Sequence, residues 1–242
     1  MIFSFNSSRI NADWSGFTLD WYKNLFNNPQ VVDALFNSLF IAIVTTVLAT
    51  VLGTIGALAL HRYKYRFKSL IDGLVYLPIV VPDILMGIAL LILFTNLKME
   101  LGKWTIIIAH VTFSISYVVI LLTARLSGMG RDLEEAANDL GATPWKTFRY
   151  VTLPLIMPGI VASALLCFTL SIDDFVISYF VSGPDSTTLP IYIYGMVKKG
   201  VSPEINALST LLIVAIVLLM LGSEILRSRG IDKEGKKSSM PF

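Results

Sequence analysis

Three carboxylates lie inside otherwise apolar stretches of this chain, where a charged side chain is costly. They are Asp83, in "VPDIL", and the adjacent pair Asp173 and Asp174, in "LSIDDFV". Each would cost about 2.5 to 3.5 kcal/mol at the centre of a membrane helix, so we expect these residues to face a cavity or a partner. Carboxylates in a cavity favour cations, and an aromatic ring such as that of Tyr179 would add cation–π attraction. The pattern predicts a path for a cationic solute.

Each acidic residue also has a structural interpretation. Asp83 follows Pro82 and would then cap a broken helix. Asp174 would pair with a basic residue of another subunit. Because Asp173 and Asp174 are neighbours, they point about 100° apart on a helix, so we expect only one of them to face a given pore. The sequence leaves both interpretations open.

Histidine and cysteine are too sparse to build an active site. His61 and His110 are far apart and lack the spacing of metal ligands, and Cys167 is the single cysteine. One cysteine excludes an intrachain disulfide and a cysteine-based zinc site. No nucleophile with a base and no metal cluster is recognisable, and no basic stripe suggests nucleic acid. We therefore expect no catalytic residue, no metal and no nucleic-acid partner.

The composition is that of a membrane protein that crosses the bilayer several times. Of 242 residues, 55% are hydrophobic and 15% are charged, with a mean hydropathy of +0.71. A bilayer core of about 30 Å needs about 20 apolar helical residues. Five segments meet this length, which predicts an all-α fold with spans at about 36–60, 70–96, 104–124, 155–181 and 206–226. In the first span, Ala49, Gly53 and Ala57 form a small-residue stripe that would let another helix approach closely.

Lys and Arg predict the orientation of these spans. Thirteen of the 19 basic residues fall in one set of connections and the C-terminal tail, and six fall in the opposite set. The positive-inside rule places the richer set in the cytoplasm, with membrane lipid around the spans. This predicts an external N-terminal segment (1–35), a transmembrane domain (36–226) with a cytoplasmic loop at 127–154, and a cytoplasmic tail (227–242).

The cytoplasmic loop contains "RDLEEAANDLGATPW", which predicts two short helices joined by a tight turn. Asp132 is placed to cap the first helix, with Glu135 three residues later. Gly141 follows the last periodic residue, where a left-handed backbone favours glycine. Thr143 would cap the second helix and Pro144 would open it. One apolar face of the first helix is formed by Leu133, Ala136, Ala137 and Leu140.

This pair of helices is either a well-capped connection, in which Glu135 only caps, or a docking surface for a partner. The docking interpretation is favoured by a resemblance to the coupling loop of ABC importer permeases, which carry a Glu-Ala-Ala, Gly and Leu-Pro pattern. The matching residues here are Glu135, Ala136, Ala137, Gly141, Val151, Leu153 and Pro154, with Val151 where the family usually has Ile. The resemblance implies a site for a separate ATPase at Glu135, Ala136, Ala137, Asp139, Gly141 and Pro154.

Over essentially its whole length, the chain resembles the permease subunits of spermidine/putrescine importers. The stretches that carry this resemblance are "FNSSR" (5–9), "VPDI" (81–84), "LSIDDFV" (170–176), "SGP" (182–184) and "MVKKGVSPEINALST" (196–210). The implied fold is the type I importer permease fold, also called MetI-like. That fold has six spans, so the resemblance also implies that the first family span is missing from this sequence.

The resemblance implies an importer in the bacterial inner membrane that carries polyamines. Its other parts would be two copies of an ATPase, a second homologous permease and an external polyamine-binding protein. The permease would not be an enzyme and would bind no cofactor, because the ATPase binds ATP. Alternatives are a permease for ferric iron or phosphonate, or a secondary carrier that works without ATP.

Overall fold

The computed structural model describes residues 2–8, 14–63, 66–130, 132–199, 203–211, 213, 214 and 217. These residues are mostly helical and contain no strand, only one isolated bridge between Asn6 and Phe17, which confirms the all-α prediction. The helices are α1 (Asp20–Asn27), α2 (Pro29–Arg62), α3 (Lys68–Val80), α4 (Asp83–Asn96), α5 (Lys103–Ser127), α6 (Asp132–Asp139), α7 (Pro144–Thr147), α8 (Leu153–Asp173), α9 (Val176–Val181) and α10 (Leu189–Lys199). A 3₁₀ turn (Ile2–Phe5), a π-helical turn (Phe148–Thr152) and a helical stretch at 203–211 complete the described elements.

The chain divides into two compact units. One comprises Met1–Val32 and Ile193–Phe242, and the other comprises Asp33–Tyr192. In the first unit, the indole nitrogen of Trp21 donates a hydrogen bond of 2.7 Å to the backbone oxygen of Asn6. The second unit contains nearly all of α2, all of α3 to α9, and the carboxylates and loop singled out in the sequence.

Among the residues that the structure describes, three continuous helical segments are long and apolar enough to cross a membrane. They are Pro29–Arg62, Lys103–Ser127 and Pro144–Asp173, the last of which joins α7, the π-helical turn and α8. Each has a mean hydropathy of 2.2 over its most apolar window. They contain the predicted spans at 36–60 and 104–124 and most of the one at 155–181.

The first span begins earlier than predicted, at Pro29 rather than near residue 36. Asn28 is the reason, because its side-chain oxygen accepts a hydrogen bond of 3.0 Å from the backbone N–H of Gln30. Pro29 then occupies the first helical position, where its missing N–H costs nothing. Polar residues thus extend the helix beyond its apolar part.

The predicted span over 70–96 is not one continuous helix, and the alternative of a broken helix before Asp83 is the one that the structure shows. Residues 68–96 form two helices, α3 and α4, which meet at an angle of 110° at Val81 and Pro82. Pro82 has no N–H to donate to the carbonyl of Pro78, four residues earlier, and its ring would clash with that carbonyl in a continuous helix. The second apolar segment is therefore bent sharply.

The fourth predicted span, 155–181, is also interrupted. Helix α8 ends at Asp173, Asp174 has extended backbone angles (φ −63°, ψ 121°), and α9 starts at Val176. The fifth predicted span, 206–226, and the tail at 227–242 lie mostly or entirely outside the described residues. Of the fifth span, residues 206–211 are helical.

The core of the second unit forms where α2 packs against α5. Ala49 and Ala57 are fully buried, and Gly53 lies so close to α5 that a Cβ atom added to it would be 2.5 Å from the Cβ of Val118. The predicted close approach along this small-residue stripe is confirmed. Helix α8 also packs along α5, and its buried residues Ile156 and Cys167 belong to the same apolar cluster as Ala49 and Ala57.

Candidate functional site

Helices α6 and α7 form a short hairpin whose turn is fixed by Gly141. The φ of Gly141 is +78°, in the left-handed region that favours glycine. Its N–H donates to the carbonyl of Asn138 (2.9 Å), and the N–H of Ala142 donates to that of Ala137 (3.0 Å), the two bonds of a Schellman motif. The Thr147 hydroxyl also donates to the Asn138 side-chain oxygen over 3.1 Å. The predicted turn is confirmed.

The helix starts of the hairpin agree only in part with the sequence. Thr143 caps α7, since its hydroxyl oxygen accepts from the N–H of Lys146 over 3.4 Å, and Pro144 is the first residue of α7, as predicted. Asp132, however, lies inside α6 as its first residue, so its predicted position at the N-cap is wrong. There it still carries negative charge in the first turn, where the helix dipole favours it.

The outer face of this hairpin is solvent-exposed and partly apolar. Leu140 is 89% exposed and Leu133 is 57% exposed, so the apolar face predicted for α6 does not pack within this unit. We use the name hairpin surface for six of the exposed residues of α6 and its turn: Leu133, Glu135, Ala136, Asp139, Leu140 and Gly141. Of the other predicted coupling residues, Ala137 is half-buried and Pro154 is exposed in the first turn of α8.

On its inner side, α6 is tied to two other helical segments through Glu134. The Oε1 atom of Glu134 accepts hydrogen bonds of 2.5 Å from Nη2 of Arg62, the last residue of α2, and from Oγ1 of Thr152, in the π-helical turn. Nη2 of Arg62 also donates to Oγ1 of Thr152 over 3.2 Å. Three side chains from three segments therefore meet at one point.

A cavity of about 270 Å³ opens beside this meeting point. It lies between the end of α2, the end of α5 and the inner side of α6. Its lining combines charged and apolar groups, contributed by His61, Arg62, Leu126, Met129, Gly130, Glu134, Glu135 and Asn138. A partly open cavity with charged and apolar walls therefore separates much of α6 from the ends of α2 and α5.

Asp83, the first of the residues predicted for the solute path, lies at the bend between α3 and α4. It is the first residue of α4 and is exposed, while Pro82 occupies the cap position. Helix α4 packs along α9, and the contact is close at Gly87, where an added Cβ would be 2.7 Å from Cδ2 of Phe180. The bend thus presents a carboxylate on the helix that borders α9.

Asp174 points into the protein, at the corner between α8 and α9. Its Oδ2 lies 3.1 Å from Nε2 of the fully buried His110 and accepts a bond of 2.7 Å from the N–H of Ser178. Its Oδ1 accepts a weaker bond of 3.4 Å from the N–H of Ile177. The other ring nitrogen of His110 lies 2.7 Å from Oγ of Ser171. Asp174 therefore pairs with a histidine of its own chain, and it joins α5 to the corner of α8 and α9.

Asp173 differs from its neighbour because it is exposed. The aromatic residues of α9 follow directly along the chain: Tyr179 is 48% exposed, and its ring centroid lies 5.4 Å from that of Phe175 and 6.0 Å from that of Phe180. The expectation that the two adjacent carboxylates point in different directions holds at this corner. An exposed carboxylate followed by aromatic faces can attract a cation.

Comparison with known proteins identifies the family. The family described as binding-protein-dependent transport system inner membrane component matches residues 49–229, about three quarters of the chain. The chain belongs to this family. The α6–α7 hairpin, the bent α3–α4 pair and the carboxylates at the α8–α9 corner all lie within the matched part of this permease.

Two similar relatives of this permease are known from Escherichia coli (strain K12). The spermidine/putrescine transport system permease protein PotC is 43% identical over 223 residues, 92% of this chain and 84% of PotC. The putrescine transport system permease protein PotI is 42% identical over 224 residues, 89% of this chain and 79% of PotI.

The fold is shared with a solved importer. A bacterial ABC transporter involved in the import of alginate superposes with a TM-score of 0.68 at 15% identity, covering 93% of this chain and 86% of that one. At this identity the likeness concerns the fold alone. It agrees with the MetI-like permease fold predicted from the sequence.

Sequence reasoning missed the polar side-chain contacts that hold the candidate sites together. His110 has no metal-ligand spacing in the sequence, and its pairing with Asp174 could not be predicted from residues 64 positions apart. Glu134 was overlooked in favour of Glu135, and its partner Arg62 is 72 positions away. Two features of the sequence could have indicated these contacts: His110 lies inside an apolar span, and Arg62 is a basic residue at the end of another span.

Proposed function

We propose that this permease carries polyamines, spermidine or putrescine, across the membrane into the cytoplasm. The observation that carries the proposal is the identity of 43% and 42% to PotC and PotI over about nine tenths of the chain. Both relatives are named for polyamines, which are cations at neutral pH. Acidic residues inside apolar segments fit a cationic solute, because only a compensating charge makes them favourable there.

Asp83, Asp173 and Tyr179 are the residues that we assign to the solute path. Asp83 and Asp173 carry exposed carboxylates, and Tyr179 is a half-exposed aromatic residue of α9. Asp174 acts from behind, since its contacts with His110 and with the N-terminal amides of α9 fix the corner on which Asp173 lies. We thus propose that Asp173 contacts the solute and that Asp174 holds Asp173 in position.

The energy for transport comes, in this proposal, from a separate ATPase that docks on the hairpin surface. A rigid helix with exposed Leu133 and Leu140 is the kind of amphipathic element that inserts into a groove of a partner. Glu135 offers it a charge-assisted hydrogen bond. The complete importer would contain two ATPase copies, a second homologous permease and an external polyamine-binding protein. The permease itself would bind no nucleotide and catalyse no reaction.

This proposal requires the hairpin and the C-terminal tail to lie in the cytoplasm. The positive-inside rule supports that orientation, because the connections at 62–68 and 125–149 carry most of the basic residues between spans. The N-terminal segment would then be external, on the side of the binding protein.

The test is transport by the purified complex in lipid vesicles. The permease, its partner permease and the ATPase are reconstituted with ATP inside or outside the vesicles, and uptake of labelled spermidine and putrescine is measured with the polyamine-binding protein present. We expect uptake only when ATP is on the side of the ATPase, and none with an ion gradient alone.

Other outcomes separate the alternatives. Uptake driven by an ion gradient without nucleotide would make the protein a secondary carrier and contradict the proposal. ATP-dependent uptake of ferric iron or a phosphonate, without uptake of either polyamine, would support an ATP-driven importer but contradict polyamines as its substrates.

A further inference from the structure

We propose that Arg62, Glu134 and Thr152 form a clamp that carries the movement of α6 directly to α2 and to the segment containing α8. This inference rests on the proposed docking of an ATPase on the hairpin surface. It gives these three residues a positioning role: they do not contact the solute or the nucleotide, but they make two transmembrane helices follow the docked helix.

The three residues of the clamp form a closed triangle of hydrogen bonds. One oxygen of Glu134 accepts from both Arg62 and Thr152, and Arg62 also donates to the Thr152 hydroxyl, so each residue bonds to the other two. Thr152 is fully buried, whereas the side chains of Arg62 and Glu134 are 34% and 28% exposed. Charge-assisted bonds of this kind are stronger and more directional than neutral ones.

The clamp supplies a connection that the chain itself lacks. Along the backbone, α6 is joined to α5 on one side and, through the turn at Gly141, to α7 on the other. Helix α2 ends 72 residues before Glu134, so no short covalent route links it to α6. Arg62 is the last residue of α2, and its bonds to Glu134 and Thr152 join that helix end to α6 and to the start of α8.

Thr152 occupies a special position in the helical segment Pro144–Asp173. It is the last residue of the π-helical turn Phe148–Thr152, after which α8 begins. Turns of this type are rare, and single ones inside helices are frequent at functional sites. The Thr152 hydroxyl donates to Glu134 and accepts from Arg62, so both of its hydrogen-bonding capacities are used at this joint.

The neighbours Glu134 and Glu135 divide two tasks. Glu135 is exposed and also borders the cavity, whereas Glu134 bonds directly to Arg62 and Thr152. Glu135 therefore stays accessible to a docked ATPase, and Glu134 is held by the transmembrane segments. Loss of Glu134 should therefore leave docking intact and break the step that follows it.

The test measures uptake and ATP hydrolysis together in the reconstituted complex. The variants are Arg62→Glu, Glu134→Arg, the double reversal that restores opposite charges, and Thr152→Val, which keeps the shape but removes the hydroxyl. Arg66→Ala is the matched control, because it removes an exposed basic residue near the same helix end. Assembly of each complex is checked by co-purification of the ATPase.

We expect the uptake per ATP hydrolysed to fall by about fivefold or more in both single reversals and in Thr152→Val, which is a typical coupling effect. The double reversal should recover most of this ratio, and Arg66→Ala should keep it. A lower uptake per ATP hydrolysed, in complexes that still co-purify with the ATPase, is not expected of residues that merely fold the loop, and recovery in the double reversal assigns the effect to the Arg62–Glu134 pair.

Two results would overturn the clamp. One is a wild-type ratio in Thr152→Val and in both single reversals; the other is a double reversal that stays as uncoupled as the single variants. If instead the wild-type complex shows no ATP-dependent uptake, the proposed function itself fails. The two failures are therefore distinguishable in one experiment.

Discussion

Asp173 and Asp174 illustrate how two identical neighbours acquire different roles from their surroundings. Asp174 is surrounded by donors, with His110 on one side and the N–H of Ser178 on the other. Asp173 is exposed at the end of α8. A buried carboxylate is stable only when it is hydrogen-bonded, so the inward position of Asp174 suits a structural role. The outward position of Asp173 suits a residue that binds the solute.

Substitution by Asn should separate these roles. Asp173→Asn should lower polyamine uptake by about tenfold, which corresponds to about 1.4 kcal/mol, and leave thermal stability unchanged. Asp174→Asn should destabilise the folded protein by about 1.5 to 3 kcal/mol, because it removes the charge from bonds to His110 and α9. Uptake in vesicles and thermal unfolding of the purified complex measure the two effects. An Asp174→Asn protein as stable as wild type would contradict this division.

The sequence correctly predicted the residues whose role depends only on their neighbours along the chain. The left-handed Gly141, the cap at Thr143 and the opening Pro144 all follow from the preferences of nearby backbone. His110 and Glu134 could not be understood in this way, because each depends on a partner more than 60 residues distant. Which of two adjacent acidic residues points inward likewise depends on packing, which a single sequence does not specify.

At the scale of helices, small residues decide how closely the long helices approach. The stripe of Ala49, Gly53 and Ala57 was visible at its four-residue spacing and does pack against α5. A break before Asp83 was one of two interpretations of the sequence, but its angle of 110° was not predicted, although Pro78 and Pro82 stand four residues apart. Periodicity and length alone suggested a single span, and the steric clash between these prolines overrode both.

Gly53 and Gly73 offer a matched pair for testing this packing. An added Cβ at Gly53 would lie 2.5 Å from Val118, whereas nothing lies within 4 Å of one at Gly73. Gly53→Ala should destabilise the protein by about 1 to 3 kcal/mol through overpacking. Gly73→Ala should stabilise it by about 0.5 to 1 kcal/mol, since alanine suits a helix interior better than glycine.

The measurement is the thermal unfolding midpoint of both variants under identical detergent conditions. The expected shifts have opposite signs, so a general effect of substituting a helical glycine would be recognised at once. Equal shifts for both variants would mean that α2 and α5 can separate without loss.

At the scale of the whole molecule, the orientation in the membrane determines which surface meets which partner. The hairpin surface and the start of α5 belong to opposite sets of connections in the sequence-based topology. The chain has one cysteine, Cys167, and its side chain is fully buried. A newly introduced cysteine should therefore react without competition from the native one.

We expect Leu140→Cys to react with a membrane-impermeant maleimide only in inside-out vesicles, because residue 140 is 89% exposed on the predicted cytoplasmic side. Lys103→Cys, at the start of α5, should react only from the outside of intact cells. Mass spectrometry of the labelled protein, with the unsubstituted chain as the blank, measures both. Labelling of Leu140→Cys in intact cells would place the hairpin outside and remove its role in docking.

The 110° angle between α3 and α4 has a mechanical consequence. A straight helix transmits a push along its axis, whereas two short helices joined at an elbow deflect sideways. The three segments found to be continuous, α2, α5 and Pro144–Asp173, have no such elbow. Asp83 lies at the elbow between these two short helices. A force applied at one membrane face would thus move these continuous segments as bodies and change the angle at Asp83, where we propose that the solute passes.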